Sequence, residues 1–239
     1  MTLMANNVIL SGGHTHSFPV AAPALAALLA EHGIDSVVEM DPEAAIRRVA
    51  QARPALLTVY ALRWTMQQGD KYAPYRERWG FSLSARARAE VEAHLARGGG
   101  ILALHTAIIC FDDWAGWGNI LGGRWVWGRS SHPPYGRVDA RPDEPRHPLL
   151  AGLPAFSLED EAYGDLELDP GLQPLMRVRA AGGDWQPALW TRMFGHGRVV
   201  VDTLGHDAGA FSHPVHRQIV ARAARWASGV TSVAAAPLD

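Results

Sequence analysis

The chain has 239 residues, a length that favours one elaborated α/β domain over two small ones. Its 22 Lys and Arg residues nearly balance 24 Asp and Glu residues, and a formal net charge of −2 argues against a nucleic-acid partner. No apolar run approaches the length of a membrane span, and the single cysteine, Cys110, excludes an internal disulfide. We therefore expect a soluble, cytoplasmic protein with one domain over residues 1–229 and a loosely ordered tail over residues 230–239.

The first half of the chain alternates apolar strands with helices. A strand over Val8 to Leu10 runs into a polar loop that carries His14 and His16, and a helix is predicted from Pro23 to Ala30. The strands and helices that follow are predicted at residues 36–40, 42–52, 55–60, 82 or 84 to 97, and 101–104. Repeated β-α units of this kind predict a doubly wound, mostly parallel sheet.

Two regions depart from this alternation. Residues 61–81 carry several aromatic side chains among charges, which predicts an excursion over the ligand-binding edge of the sheet that serves as a lid or as a homodimer contact. The second half predicts added β elements and a closing helix at residues 124–127, 137–140, 156–163, 176–180, 187–193, 198–204 and 213–227.

Two apolar strands end in a histidine. Residues 101–104 are followed by His105, and residues 199–204 are followed by Gly205 and His206. Ligands of open α/β sheets collect at the carboxyl ends of the strands. Asp160 and Glu161 add two adjacent carboxylates, and a carboxylate beside an imidazole tunes an acid–base group towards neutral pH. The structural alternatives are a histidine buried in the core and a solvated acidic turn.

A set of short motifs, taken together and in order, resembles the ThuA-like (trehalose-utilisation) family. The motifs occur at residues 99–105, 121–123, 147–148, 152–153, 160–163, 195–198 and 204–207. The resemblance runs from about Val8 to Ala227. It implies a flavodoxin-like fold related to class I glutamine amidotransferases, and a role in the metabolism of disaccharides or keto-sugars.

The relationship to amidotransferases makes one residue-level comparison possible. Those enzymes place a cysteine nucleophile on the turn after this strand and a His-x-Glu pair late in the chain. Here His105 follows the strand, Cys110 comes five residues later, and Asp207 follows His206 without a glutamate. We therefore expect no cysteine nucleophile and an inert, partly buried Cys110.

His16, His105, Glu161 and His206 form the candidate catalytic set. One hypothesis is that the three histidines bind a divalent metal such as zinc, with Glu161 completing the site. The other is metal-free acid–base chemistry by His105, Glu161 and His206. The predicted contacts to a sugar substrate come from His16, Trp114, Trp117, Tyr163, Arg198 and Asp207, with Trp64 as a further stacking candidate.

Three functions follow from these residues. The first is an enzyme that processes a disaccharide, glycoside or keto-sugar without a cysteine nucleophile. The second is a non-catalytic sugar-binding or assembly protein that uses the same pocket. The third is a hydrolase or amidotransferase that uses Cys110. A small-molecule sugar is the expected partner in the first two.

Overall fold

The protein is described over residues 6–230 by a computed structural model, so residues 231–239 of the predicted tail lie outside the described residues. The strands in this range are β1 (Asn7–Gly13), β2 (Ser36–Glu39), β3 (Leu56–Leu62), β4 (Gly100–Leu104), β5 (Gly123–Arg124), β6 (Gly136–Pro142), β7 (Phe156–Asp160), β8 (Glu167–Leu168), β9 (Met176–Ala180), β10 (Gln186–Phe194) and β11 (Gly197–Asp202). The α-helices are α1 (Phe18–Glu31), α2 (Pro42–Ala52), α3 (Ala73–Trp79), α4 (Ala85–Ala96), α5 (Ala115–Leu121), α6 (Ala208–Ser212) and α7 (Pro214–Ala227).

The centre of the molecule is one large sheet. Within residues 6–230, nine strands pair in the order β2-β1-β3-β4-β11-β10-β9-β6-β7. The first five are parallel and have the 2-1-3-4-5 order of flavodoxin-like folds. The remaining four are antiparallel. The predicted flavodoxin-like α/β fold with added β elements in the C-terminal half is therefore confirmed.

Local sequence signals explain how the parallel half is connected. Asp41 caps α2 by accepting the backbone N–H of Ala44, and Ser84 caps α4 by accepting the N–H of Ala87. Gly98 leaves α4 at a φ of 90°, a conformation that glycine adopts without strain, and the chain then enters β4. Because β3 and β4 are buried along their whole length, they read as continuous apolar runs.

Three predicted boundaries were wrong. Helix α1 begins at Phe18 rather than at Pro23, because Phe18 and the alanines after it are buried in the core, which outweighs the one backbone hydrogen bond that Pro23 cannot make. The strand predicted over residues 124–127 is limited to β5, because a turn closes between Val126 and Ser130. Strand β7 stops at Asp160, whose carboxylate binds the next backbone N–H, that of Glu161.

The antiparallel half of the sheet curves back towards the parallel half. In a flat sheet, five strand spacings would separate β7 from β4 by about 24 Å. Nevertheless Glu161, the residue after β7, lies 3.5 Å from His105, the residue after β4. The curvature therefore brings side chains from both halves to the carboxyl edge of the parallel strands.

In the part of the chain that the structure describes, no helix is both long and apolar enough to span a membrane.

Candidate functional site

Four predicted site residues come together at the carboxyl edge of the sheet. His16 follows β1, His105 follows β4, Glu161 follows β7 and His206 follows β11. One potential ligand atom from each of the four side chains lies within 4.8 Å of the others. The closest contacts join His16 Nε2 to His105 Nε2 at 3.2 Å, His206 Nδ1 to Glu161 Oε2 at 3.4 Å and His105 Nε2 to Glu161 Oε2 at 3.5 Å.

The backbone at His105 is strained. Its φ is 50°, a left-handed conformation that costs a residue other than glycine about 1–3 kcal/mol. Gly205, at a φ of 121°, packs against the Cβ atom of His105 from the end of β11. This sharp turn holds a fully buried imidazole at the end of β4.

Hydrogen bonds to carbonyl groups define the tautomers of two of these rings. Because a carbonyl oxygen only accepts, His105 Nδ1 donates to Thr203 O at 3.0 Å, and His16 Nδ1 donates to His14 O at 3.4 Å. Burial lowers the pKa of His16 to about 3, with further lowering by His105 and His206, so its ring is neutral. The neutral His16 ring therefore presents a lone pair on Nε2 to His105 Nε2 across the 3.2 Å contact.

A carboxylate and a phenol lie beside this pair of imidazoles. Burial raises the pKa of Glu161, but its close contacts with the His105 and His206 rings lower it overall to well below the ordinary value, so the carboxylate is ionised. Burial raises the pKa of Tyr163 far above its ordinary value, so its hydroxyl keeps one hydrogen, 3.1 Å from His105 Nε2. His16 Nε2 and the Glu161 carboxylate are therefore two acceptors beside His105 Nε2, an arrangement that either a proton on His105 or a bound cation would balance.

Asp160 ties together the two segments that carry Glu161 and His206. Its carboxylate, which is fully buried, accepts the N–H groups of Glu161 and Gly205 at 2.8 Å each and that of His206 at 3.3 Å. It also lies 3.8 Å from His105 Nδ1. Asp160 is therefore a positioning residue beneath the cluster. Because it is buried, it does not lie in a solvated acidic turn, which was the structural alternative.

Three members of the cluster, His16, Glu161 and His206, line a cavity of about 410 Å³, within the range of small-molecule sites, and His105 lies buried behind them. Tyr72 packs edge-on against Trp64 and Trp127, at centroid distances of 5.3 Å and 5.9 Å. The aromatic lining consists of Trp64, Tyr72, Tyr75, Trp125, Trp127 and Tyr163. Flat aromatic faces beside hydrogen-bonding groups suit the apolar faces and hydroxyls of a sugar.

Three predicted substrate contacts lie elsewhere. Trp117 is 2% exposed and donates its indole N–H to Ala107 O at 2.9 Å, so it is a core residue. Trp114 lines a separate cavity of about 250 Å³ and lies under the Arg88 guanidinium. Arg198 lies at the amino end of β11, next to Trp226. His206 follows the carboxyl end of the same strand, so the two side chains lie at opposite edges of the sheet.

Asp207 lies beside the cluster in a supporting position. Its carboxylate caps α6 through the N–H of Gly209 and accepts the hydroxyl hydrogen of Tyr135 at 3.0 Å. The Tyr135 ring covers His206 at a centroid distance of 4.7 Å. Asp207 therefore acts through Tyr135.

Cys110 is a buried thiol that does not line the 410 Å³ cavity. Its sulfur donates to Ala61 O at 3.1 Å and accepts the N–H of Arg63 at 3.3 Å. Burial raises the pKa of the thiol to about 12, which leaves no thiolate nucleophile at neutral pH.

Sequence reasoning did not single out several cavity residues. His132 lies 3.6 Å from Glu161 Oε1, and Lys71, Trp125 and Trp127 line the walls. The available signal was the pair of tryptophans on either side of Val126, which both line the cavity although they follow β5 rather than lying in a strand.

The fold and the site together define a flavodoxin-like α/β protein with a histidine–carboxylate cluster at the sheet edge. A sequence model of the ThuA family, described as trehalose utilisation, matches residues 7–227. The chain therefore belongs to the ThuA family, which links it to sugar metabolism. No curated protein matches the sequence.

Solved structures share the fold at low sequence identity. A ThuA-like protein from Parabacteroides merdae superposes with a TM-score of 0.73 at 17% identity, covering 93% of this chain and 89% of that one. A cytoplasmic protein from Salmonella typhimurium gives 0.60 at 13% identity, covering 92% and 98%. A β-galactosidase from Bacillus circulans gives 0.55 at 13% identity, covering 95% of this chain and 31% of that enzyme.

Proposed function

We propose that the protein is an enzyme that processes a disaccharide, glycoside or keto-sugar, and that His16, His105, Glu161 and His206 hold a divalent metal ion at its site. One observation carries this proposal: the Nε2 atoms of His16 and His105 lie 3.2 Å apart next to an ionised carboxylate, beside an aromatic cavity. A divalent cation bound here would balance the charge of the carboxylate and use the ring nitrogens as ligands.

The spacing and the chemistry of the cluster fit zinc. Ligand atoms about 2.1 Å from a tetrahedral zinc ion lie about 3.4 Å from one another. The three shortest contacts in the cluster are 3.2, 3.4 and 3.5 Å. The carbonyl acceptors of His105 and His16 orient both rings from behind, which is the usual support for a ligating histidine.

The surrounding residues bind and orient a sugar. A divalent ion at this position supplies Lewis-acid polarisation of a sugar oxygen. Tyr163 holds a hydroxyl proton next to the cluster, and Trp64, Tyr72 and Trp127 offer aromatic surface and exclude water. The lone cysteine, and a structural neighbour described as a cytoplasmic protein, support a cytoplasmic location.

The test is zinc titration by calorimetry, followed by assays with trehalose, simple glucosides and keto-glucosides. We expect one zinc ion per chain in the wild type, none in Glu161→Gln or His16→Ala, and sugar turnover only where zinc binds. His14→Ala is the matched control, because His14 lines the same cavity two residues away and lies outside the cluster.

Different outcomes separate the alternatives. Sugar binding without turnover in the zinc-loaded wild type favours the non-catalytic sugar-binding protein. Turnover that survives zinc removal favours metal-free acid–base chemistry by His105, Glu161 and His206. An unchanged zinc stoichiometry in Glu161→Gln contradicts the proposed metal site.

A further inference from the structure

The chain contains a single lysine, Lys71. Of its 22 basic residues, 21 are arginines, and the one lysine lines the candidate site. Lys71 lies in the short 3-10 turn over Asp70–Tyr72, within the aromatic excursion that crosses the sheet edge. The Lys71 ammonium lies 4.8 Å from the ring centroid of Tyr72, which also forms part of the wall.

Lys71 differs from the arginines around it because, within residues 6–230, its ammonium packs on Tyr72 but makes no hydrogen bond or salt bridge. Arg76 donates twice to Met66 O, and Arg63 donates to Met40 O and covers Trp79. Among the salt bridges within residues 6–230, every basic partner is an arginine or a histidine. Lys71 therefore keeps its charge available to a ligand.

The charge of the cavity points to an anionic ligand. Apart from histidines, Lys71 and Glu161 are the charged side chains of the lining, and they cancel. With the proposed divalent ion bound, the lining carries about two positive charges. A cavity of one charge sign concentrates ligands of the opposite sign.

We propose that Lys71 binds a carboxylate on the ligand, so that the protein recognises an acidic sugar such as a uronate. This inference rests on the proposed function of the same cavity. A carboxylate fits better than a phosphate, because phosphate sites combine several guanidinium or backbone N–H donors, whereas this rim offers a single flexible ammonium.

Two ligands that differ in one group provide the test. Methyl glucuronide carries a carboxylate where methyl glucoside carries a hydroxymethyl group. We expect zinc-loaded wild type to bind the glucuronide about tenfold more tightly, as for a hydrogen-bonded ion pair. We expect Lys71→Met to bind both alike and to bind the glucoside as wild type does.

Arg78→Met is the matched control, because it removes one positive charge from the same excursion at a residue that packs on Trp79 outside the lining. It should keep the tenfold ratio, and added salt should narrow the ratio in wild type. Since Lys71 supplies the only side-chain amine, the glucuronide should also slow acylation of Lys71, and the glucoside should not.

Three results overturn the inference. Equal binding of the two glycosides to wild type would mean that the protein does not recognise a carboxylate on its ligand. A tenfold ratio that survives in Lys71→Met would mean that a residue other than Lys71 binds the carboxylate. Tighter binding of glucose 6-phosphate than of the glucuronide would mean that the site prefers a phosphate to a carboxylate. Zinc titration separates these from failure of the proposed function, because Lys71→Met should still bind one zinc ion.

Discussion

Two buried histidines lie near the carboxyl end of β11 and differ in one respect. His216 uses both ring nitrogens inside the protein, with Nε2 3.0 Å from Asp202 Oδ2 and Nδ1 2.9 Å from Ala210 O. His105 uses only Nδ1 in this way, and its Nε2 faces the cluster. Both side chains are fully buried and both lie near a carboxylate. The ring nitrogen that faces the cluster and the cavity residue Tyr163, rather than burial or residue type, therefore marks the candidate site.

The two regions are connected through consecutive residues. Asp202 binds His216, and the carbonyl of the next residue, Thr203, accepts from His105. The hydrogen-bonded residues Asp202 and His216, called the sealed pair below, fix the end of β11 that orients His105. Loss of His216 should therefore lower the stability of the fold, whereas loss of His105 should weaken metal binding.

The largest expected effects come from replacing His216 and His105, and the two effects differ in kind. His216→Ala leaves the Asp202 carboxylate buried without its partner, and we expect the free energy of unfolding to fall by about 3–5 kcal/mol. His105→Ala should instead weaken zinc binding by more than about 100-fold, because it removes a ligand rather than its support. Denaturant unfolding and zinc titration measure the two effects.

His216→Gln is the milder control if the alanine variant does not fold, since its amide can still donate to Asp202. A loss of zinc binding in His216→Gln as severe as that in His105→Ala would contradict the distinction between a structural His216 and a ligating His105.

Asp160→Asn tests the support of the cluster. An asparagine presents an NH₂ group where the carboxylate now accepts the N–H groups of Gly205 and His206. We expect zinc affinity to fall by about 10–100-fold, the usual loss when a ligand's support is removed. A purely structural role predicts lower stability with unchanged zinc affinity, so both are measured on the same variant.

The sealed pair also gives stability a pH dependence. Burial lowers the pKa of His216, but the Asp202 carboxylate, the carbonyl of Ala210 and the charge of Asp160 raise it overall above 6.5. Nearby His213 is the other titratable group facing it, and burial lowers the pKa of that ring. The folded state thus holds a proton on His216 that the unfolded chain releases above about pH 6.5.

The resulting stabilisation is complete below about pH 6.5 and is lost as the pH rises through the raised pKa of His216. The slope cannot exceed about 1.4 kcal/mol per pH unit for one proton. Denaturant unfolding at several pH values should show this decline in wild type and not in His216→Gln. An identical decline in both proteins would assign it to another group.

The smallest effect concerns the backbone of His105. At a φ of 50°, glycine avoids the strain that any side chain with a Cβ atom carries. We expect His105→Gly to be more stable than His105→Ala by about 1 kcal/mol, although neither retains the imidazole. Thermal unfolding of the two variants provides the comparison, and equal stability would mean that the strain is absent.

Much of the fold could be predicted because its signals are local. Apolar runs such as 101–104 and caps such as Asp41 and Ser84 depend on a few adjacent residues. The start of α1 was missed because its first turns contain two prolines and are stabilised by tertiary burial of Phe18. The curvature of the antiparallel half depends on long-range packing, which no local pattern encodes.

The site was predictable where strand polarity decides it. Residues after parallel strands share an edge, and His105 and His206 accordingly lie together. The same rule applied to Arg198 would have placed it on the opposite edge. Glu161 joins the cluster only through the curved sheet, and Lys71 faces the cavity only through the excursion, so their positions required the structure.

An anomalous diffraction map at the zinc absorption edge, from a crystal of the zinc-loaded protein, tests the central claim most directly. We predict a single strong peak among His16, His105, Glu161 and His206, with both Nε2 atoms and a Glu161 oxygen within about 2.0–2.2 Å of it. A map without that peak, in which the His16 and His105 nitrogens are bridged by a proton or by water, would contradict the account.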